Sequence, residues 1–228
     1  IDDYEMLDGT AFDWSDPVKA AHPFENRDER LLATVLMNGV LFKGKRVATY
    51  PGGADAMPNP NATKTGYYLR KFLNENVNIQ TGGGSDGHVV PLFRLAEIYL
   101  NYAEALNEYD PTNPDIAVYL NKIRERVSLP DVPSGLTQEQ MRTLIHHERR
   151  VELAFEEHRF WDVRRWKVAS STLGAPVKGV KITQDDAGNF TYSPVQVEQR
   201  VFQPKMYWYP IPQSETLKLH HWEQNKGW

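Results

Sequence analysis

The period of the apolar residues changes at Pro91, and this change constrains the chain more than any other feature. Leu92, Leu95, Ala96, Tyr99, Ala103 and Leu106 fall at i, i+3, i+4, i+7, i+11 and i+14, with Arg94, Glu97, Asn101 and Glu104 elsewhere around the same cylinder. A segment with that period is an amphipathic helix, and its apolar stripe must find something to pack against. Before Pro91 the chain is broken by Asp16-Pro17, Pro51-Gly52-Gly53, Pro58-Asn59-Pro60 and Gly82-Gly83-Gly84, turn signals that leave no room for long helices. One stretch there is regular: Asn26, as a cap ahead of Asp28 and Glu29 and the apolar run to Leu36, predicts a short helix or a strand.

Beyond Asp110-Pro111-Thr112, Asn113 can cap a second helix and Pro114 can take its first position. Ile116, Leu120, Ile123 and Val127 then repeat until Pro130. The two helices should form an antiparallel hairpin. Leu95, Ala96 and Tyr99, with Ala117 in the second helix and a proline after its end, follow tetratricopeptide spacing, and one such unit cannot bury its faces alone. Thr137 with Gln140 makes a capping box for a third helix, whose apolar positions are Met141, Leu144, Ile145, Val151 and Phe155. It continues, with a break near His158, through Phe160, Trp161, Val163 and Trp166. Residues 170 to 205 read as loop or hairpin, with Asp186-Ala187-Gly188-Asn189 as the turn between Val180–Thr183 and Phe190–Tyr192. The prolines keep Tyr207 to Pro212 extended, and Ser214 to Leu217 reads as a short last helix. The expected fold class is mainly α: tetratricopeptide-like helical hairpins with long loops and a few short strands.

Charge and composition narrow the function. A formal net charge of -4, with Lys and Arg interspersed among Asp and Glu, gives no footprint for a phosphate backbone, so no nucleic-acid partner is expected. No window holds ~18 consecutive apolar residues, and Ile1-Asp2-Asp3-Tyr4 lacks the pattern of a secretory signal. With 0 Cys there is no disulfide framework or thiolate chemistry. The chain is rich in rings, with 11 Tyr, 9 Phe and 6 Trp, several of them in loop-like segments where core packing does not require them.

The short motifs mostly lack their structural context. Gly82-Gly83-Gly84-Ser85-Asp86-Gly87 satisfies both a dinucleotide fingerprint and a nucleophile elbow, but Val77-Asn78-Ile79-Gln80 is too polar and brief to be the strand either requires. The segment reads as a loop. His147-Glu148 begins like a zinc motif, yet Val151 stands where the second histidine must sit; His146 with His147 and His220 with His221 are adjacent pairs that face different ways. Asp185-Asp186 is explained by a hairpin turn more simply than by calcium. No metal and no cofactor is expected.

Two groups of side chains carry the functional reading. Glu148, Glu152, Arg159 and Asp162 lie near one helical stripe with Met141, Leu144, Ile145 and Phe155, so they should be partly buried. Two such carboxylates can be a glycosidase acid and base. The abundance of arginine nearby favours a structural ion network instead, because guanidinium groups keep both carboxylates ionised. Tyr4, Phe12, Trp14 and Tyr50, with Tyr67 and Tyr68, sit in the irregular first part, where an exposed ring can stack on a sugar; the first four are the expected ligand contacts. Trp161, Trp166 and Trp208 belong to periodic or extended segments and are expected in the core.

At this point the chain resembles the SusD/RagB family. The resemblance runs through Pro91-Leu92-Phe93-Arg94-Leu95-Ala96-Glu97-Ile98-Tyr99-Leu100-Asn101-Tyr102-Ala103-Glu104-Ala105, then Glu148-Arg149-Arg150-Val151-Glu152-Leu153-Ala154-Phe155-Glu156, then Arg159-Phe160-Trp161-Asp162-Val163-Arg164-Arg165-Trp166. Tyr4-Glu5-Met6, Asp13-Trp14 and Asn26 to Arg30 look like the family's middle segment, and Tyr209-Pro210-Ile211-Pro212 and Gln224 to Trp228 like its ending. Glu157 stands where the family often has glycine. The resemblance implies a non-enzymatic protein that binds an oligosaccharide or polysaccharide for a SusC-type TonB-dependent transporter, at the cell surface on the outer membrane. Members are longer, so it also implies a C-terminal part of such a protein, reaching the membrane only through a lipid anchor outside this chain. On that reading 1–228 is one domain, with a loop-rich segment 1–90, a helical core 91–168, and a hairpin and extended tail 169–228. Helix faces left without the preceding repeats would make the chain dimerise or limit its solubility. The rival classes are a helical glycoside hydrolase using Glu148 and Glu152, and a tetratricopeptide-like scaffold that binds only protein.

Overall fold

Carboxylate caps start the short helices of the N-terminal portion. In the computed structural model of the chain, which describes residues 1–77, 91–218 and 221–228, Asp16 accepts from the backbone N–H groups of Val18 and Lys19 to begin α1 (Pro17–Ala21). Asp28 does the same for α2 (Glu29–Thr34) by accepting from Arg30 N. The cap is therefore Asp28 and not Asn26, which takes a left-handed φ of 53° two residues earlier. The run ends as β1 (Val35–Leu36), so this stretch is helix first and strand after. A hairpin follows, β2 (Leu41–Phe42) with β3 (Lys45–Arg46), and β4 (Tyr68–Leu69) returns to pair antiparallel with β1.

The helical portion begins later than its pattern suggests. Arg94 is extended, and α3 runs Leu95–Tyr109. It packs on α4 (Asp115–Glu125) and α5 (Gln138–Glu152). Ring contacts Tyr102–Tyr119 and Tyr99–Tyr119, with Tyr102 donating to Asp115, set α3 antiparallel to α4. The pairs Arg142–Glu108, Arg149–Asn101 and Arg94–Glu152 set α3 antiparallel to α5. The capping box at Thr137 and Gln140 is formed in both directions. Leu100, Ala103, Ile116, Leu120, Ile123, Val132, Ile145 and Leu153 make the core between these helices.

The break expected near His158 falls between α5 and α6 (His158–Arg165), where Phe155 and Glu157 both adopt left-handed φ, 63° and 65°. A side chain at such φ costs free energy that glycine avoids, which is why glycine suits position 157. The turn also throws Phe155 out to solvent, against its expected core position. Trp161 and Trp208, also expected inside, are 63 % and 67 % exposed. A short α7 (Ala169–Thr172) precedes β5 (Val177–Gln184), which pairs antiparallel with β6 (Phe190–Glu198) over a longer register than the sequence pattern indicated. The chain ends with a 3-10 turn at Pro204–Tyr207 and α8 (Gln213–Thr216). No helix among the described residues is long and apolar enough to cross a membrane. The glycine motif from Gly82 to Gly87, Asn78 to Gln80, and His220 lie outside the described residues.

The buried face of α3 is also rotated from expectation. Leu92 and Leu95 are exposed, and with Ile98 they leave an apolar edge at three-residue spacing that no described segment covers, while Tyr109 is exposed at the far end of the helix. Such an edge associates with its like in water. The chain should therefore self-associate in sedimentation velocity, and Leu95→Glu with Ile98→Glu should shift it toward the monomer; a wild-type chain that stays monomeric at high concentration contradicts this.

Candidate ligand-binding site

Between the helical core and the N-terminal loops lies a set of carboxylates that apolar packing alone would not tolerate. Glu148 is 1 % exposed and accepts from Arg30 Nη1 at 2.5 Å and from Arg124 Nη1 at 3.0 Å. Glu152, one helical turn on, accepts from Arg30 at 2.9 Å, Arg94 at 2.5 Å and Arg126 at 2.6 Å. Arg30 itself is held by Asp28 at 2.6 Å, and Arg124 reaches Glu5 at 3.0 Å. Asp162 on α6 accepts from Arg149 at 2.7 Å and Arg165 at 3.0 Å. Arg159, grouped with these residues from its position in the sequence, makes no ion pair among the described residues; burial and the nearby Arg150 lower its pKa. Glu156 extends the set, accepting from Arg94 and Lys71.

The electrostatics follow from this geometry. Burial alone would raise the pKa of Glu152, but the hydrogen bond from Arg94 and the charges of Arg30 and Arg126 outweigh it and hold the carboxyl below its ordinary value. Glu156 is held down in the same way by Arg94 and Lys71. A carboxyl in this state is a poor proton donor at neutral pH. The glycosidase arrangement needs one acid with a raised pKa, and Glu152 is moved the opposite way. Among the described residues no three of His, Asp and Glu are grouped as a metal site. His146 stacks on Trp166 at 3.6 Å, and His147 faces Glu5.

The aromatic residues divide into packed and presented ones. Tyr4 and Phe12, expected as ligand contacts, are 5 % and 7 % exposed. Tyr4 belongs to the second core cluster with Leu31, Val35, Met37 and Val151. The face of Phe12 is covered by the Arg27 guanidinium at 3.9 Å, and its ring meets Trp14 edge-to-face. These two rings are packed against protein and not presented to a ligand. Trp14 is half-buried and its indole N–H donates to Asp2 at 3.1 Å. Tyr50 is half-buried too, 5.0 Å from the ring of Phe190.

That last contact belongs to a wall that sequence reasoning missed. The period of two along β6 puts Phe190 and Tyr192 on one face. Phe190 meets Tyr50, Tyr192 meets Phe24 at 5.2 Å, and Phe24 meets Tyr67. Two glycines let the β5–β6 hairpin come this close: a Cβ on Gly179 would lie 2.6 Å from the carbonyl oxygen of Thr65, and one on Gly66 would lie 2.8 Å from Val180. Val180 N donates to Thr65 O at the same place. The wall borders a cleft of about 390 Å³ whose polar members are His22, Glu25 and Asn189. The alternation in Phe190-Thr191-Tyr192 was the available signal, but nothing in it named the loop rings it would meet.

Fold and site together define a class: a tetratricopeptide-like helical core whose loops and hairpin present an aromatic-walled cleft, with its interior carboxylates tied to arginines. The chain belongs to the SusD family, whose profile matches residues 1–228. SusD-like protein P2 of Formosa agariphila is 36% identical over 126 residues, 52% of this chain and 24% of that protein. SusD-like protein P25 of the same organism is 40% identical over 106 residues, 44% of this chain and 19% of that protein. A SusD-like protein of Bacteroides fragilis superposes with TM-score 0.85 at 30% identity, covering 100% of this chain and 46% of that one. A SusD-like carbohydrate-binding protein from the same species gives TM-score 0.79 at 30% identity over 95% of this chain and 45% of that one. The chain thus spans less than half the length of these relatives.

The network predicts two measurable effects. Removing one partner of a buried pair strands the others, so Glu148→Ala should cost about 3–5 kcal/mol in denaturant unfolding; a loss within error of zero refutes the assignment. Because the folded pKa values of Glu152 and Glu156 lie below the ordinary 4.5, their stabilisation is full above that value and is lost as pH falls through and below it. The unfolding midpoint should therefore drop between pH 6 and pH 3, and drop less in Glu152→Gln.

Proposed function

We propose that the protein binds an extracellular oligosaccharide or polysaccharide without catalysing its cleavage and passes it to a SusC-type TonB-dependent transporter. In the full-length protein this takes place at the cell surface, on an outer membrane to which a lipid anchor holds it. The observation that carries the reading is the cleft lined by Phe24, Phe190 and Tyr192 together with His22, Glu25 and Asn189, with Tyr50 packed on Phe190 beside it. Rings stack on the apolar faces of sugars, and short polar groups bond the hydroxyls. The carbohydrate-binding relative from Bacteroides fragilis supports the same ligand class.

The non-catalytic part of the proposal rests on Glu148 and Glu152. Both accept from at least two guanidinium groups each, so their oxygens are taken up by structural partners, and Glu152 is held below its ordinary pKa, the opposite of what a general acid needs. Trp14 stays a proposed contact at the margin of the loops, with part of its ring free, whereas Tyr4 and Phe12 act by supporting the loops that carry the wall.

Affinity electrophoresis of the chain through gels containing a panel of polysaccharides tests this. At least one glycan should retard it, and Tyr192→Ala should weaken the retardation about three- to tenfold, the worth of one stacked ring, with smaller losses for Tyr50→Ala and Trp14→Ala. No retardation by any glycan sinks the proposal. Release of reducing ends that disappears in Glu148→Gln would favour the hydrolase instead.

A further inference from the structure

A second cleft, of about 770 Å³, lies beside the β2–β3 hairpin and has a different character from the aromatic one. Phe42, Lys43, Lys45, Arg46, Asp55 and Glu75 line it. The chain as a whole is acidic, at -4, so three cations on one short hairpin run against its overall balance. The turn that carries them has left-handed φ at both central residues, 49° at Lys43 and 76° at Gly44, the geometry of a tight two-residue hairpin. It brings the residues on either side of the turn to the same edge of the cleft.

What matters is which charges are already matched. Asp55 accepts from Ala48 N at 2.8 Å, and Glu75 is paired with Arg70 at 2.7 Å. The cations are satisfied only by neutral acceptors: Lys43 Nζ donates to Val77 O at 2.6 Å and Arg46 Nη1 to Gly39 O at 2.7 Å. Among the described residues none of Lys43, Lys45 and Arg46 meets a carboxylate. Phe42 is half-buried at the same edge, its ring centroid 5.6 Å from Lys43 Nζ. A cleft with an aromatic face and adjoining unmatched cations suits a sugar ring whose apolar C–H face packs on the aromatic while a negative group on it meets the cations.

We propose that this cleft binds the anionic substituent of an acidic saccharide, a uronate carboxylate or a sulfate ester, with Lys43, Lys45 and Arg46 supplying the opposite charge and Phe42 the stacking face. The inference rests on the saccharide-binding reading and narrows its ligand class. The loop that leaves β3 continues to Tyr50, so one segment of chain carries both the charged cleft and a ring of the aromatic wall. A neutral sugar would gain little from the cations, whereas an acidic one gains an attraction that salt weakens.

The test uses the full chain in affinity gels containing polygalacturonate, a sulfated galactan or a neutral galactan, at low and high salt. At least one acidic polymer should retard the protein more strongly than the neutral one, and added salt should erase the difference. Which acidic polymer does so distinguishes carboxylate from sulfate. The variant Lys43→Ala/Lys45→Ala/Arg46→Ala should lose about tenfold or more of that affinity, and Lys45→Ala alone, at an exposed position with no side-chain bond to lose among the described residues, about two- to fivefold, with thermal midpoints unchanged. The control Lys178→Ala/Lys181→Ala, on β5, should lose nothing.

Equal loss in that control, an unaffected triple variant, or no preference for an acidic polymer overturns the proposal. If a neutral glycan is still held, and held less well by Tyr192→Ala, in that last case, the broader binding reading stands and only this one falls. If none of these three polymers retards the protein, this inference falls, and the wider polysaccharide panel decides the broader reading.

Discussion

The buried pairing of Arg30 with Glu148 and Glu152 is the interaction on which the rest depends. It joins α2, in the loop-rich part, to α5, in the helical part, across a separation of more than a hundred residues, at 2.5 and 2.9 Å. An isolated carboxylate at that depth would be driven to its neutral form or out to solvent. Here each carboxylate meets two or three guanidinium groups, and those four groups come from three separate segments: Arg30 in α2, Arg94 ahead of α3, and Arg124 and Arg126 at the end of α4. A net of this kind does not have to contribute much stability over an apolar core to be structurally decisive. Its directional bonds admit one arrangement of the segments, where apolar contacts alone admit many.

That arrangement gives the loops a fixed base. Arg27 donates to the backbone oxygens of Ile1, Tyr4 and Pro23, so a side chain ties down the first loop and adds to the single antiparallel bridge between Met6 and Arg27. Tyr4 and Phe12 then fill space under the loops, and the rings left over, Tyr50, Tyr67 and Phe24, meet the β5–β6 hairpin. Close passage of the hairpin at Gly66 and Gly179 turns a collection of loop aromatics into a wall with a cleft beside it. Binding surfaces carried by loops are usually only as precise as what supports them, and here the support is ionic on one side and glycine-limited contact on the other.

Several exposed rings point to the same division of labour. Trp161 and Trp208 belong to segments whose pattern resembles a core, yet both face solvent; for Trp161 the reason is that α6 places Asp162 and Val163 inside to meet Arg149 and the core. Once those two positions are fixed, helical geometry turns position 161 outward. In the same way, Arg94 stays extended ahead of α3 to reach Glu152 and Glu156, and the helix starts after it.

The sequence by itself determined the local grammar: the first long helix, begun at Pro91 where the structure begins it four residues later at Leu95, the Thr137 capping box, the break near His158, the turn before Phe190, and the family to which these motifs belong. Those features depend on neighbours a few residues apart, and so they are written in spacing. It also indicated that Glu148, Glu152 and Asp162 would be buried near arginines, since helical period alone puts them with the apolar stripe. Only the tertiary structure decided which arginines these are, why Arg159 is not among them, which rings are packed and which line a cleft, and where three cations face no carboxylate. Each of those outcomes is a contact between segments tens of residues apart, set by chain packing and charge pairing that no local period encodes.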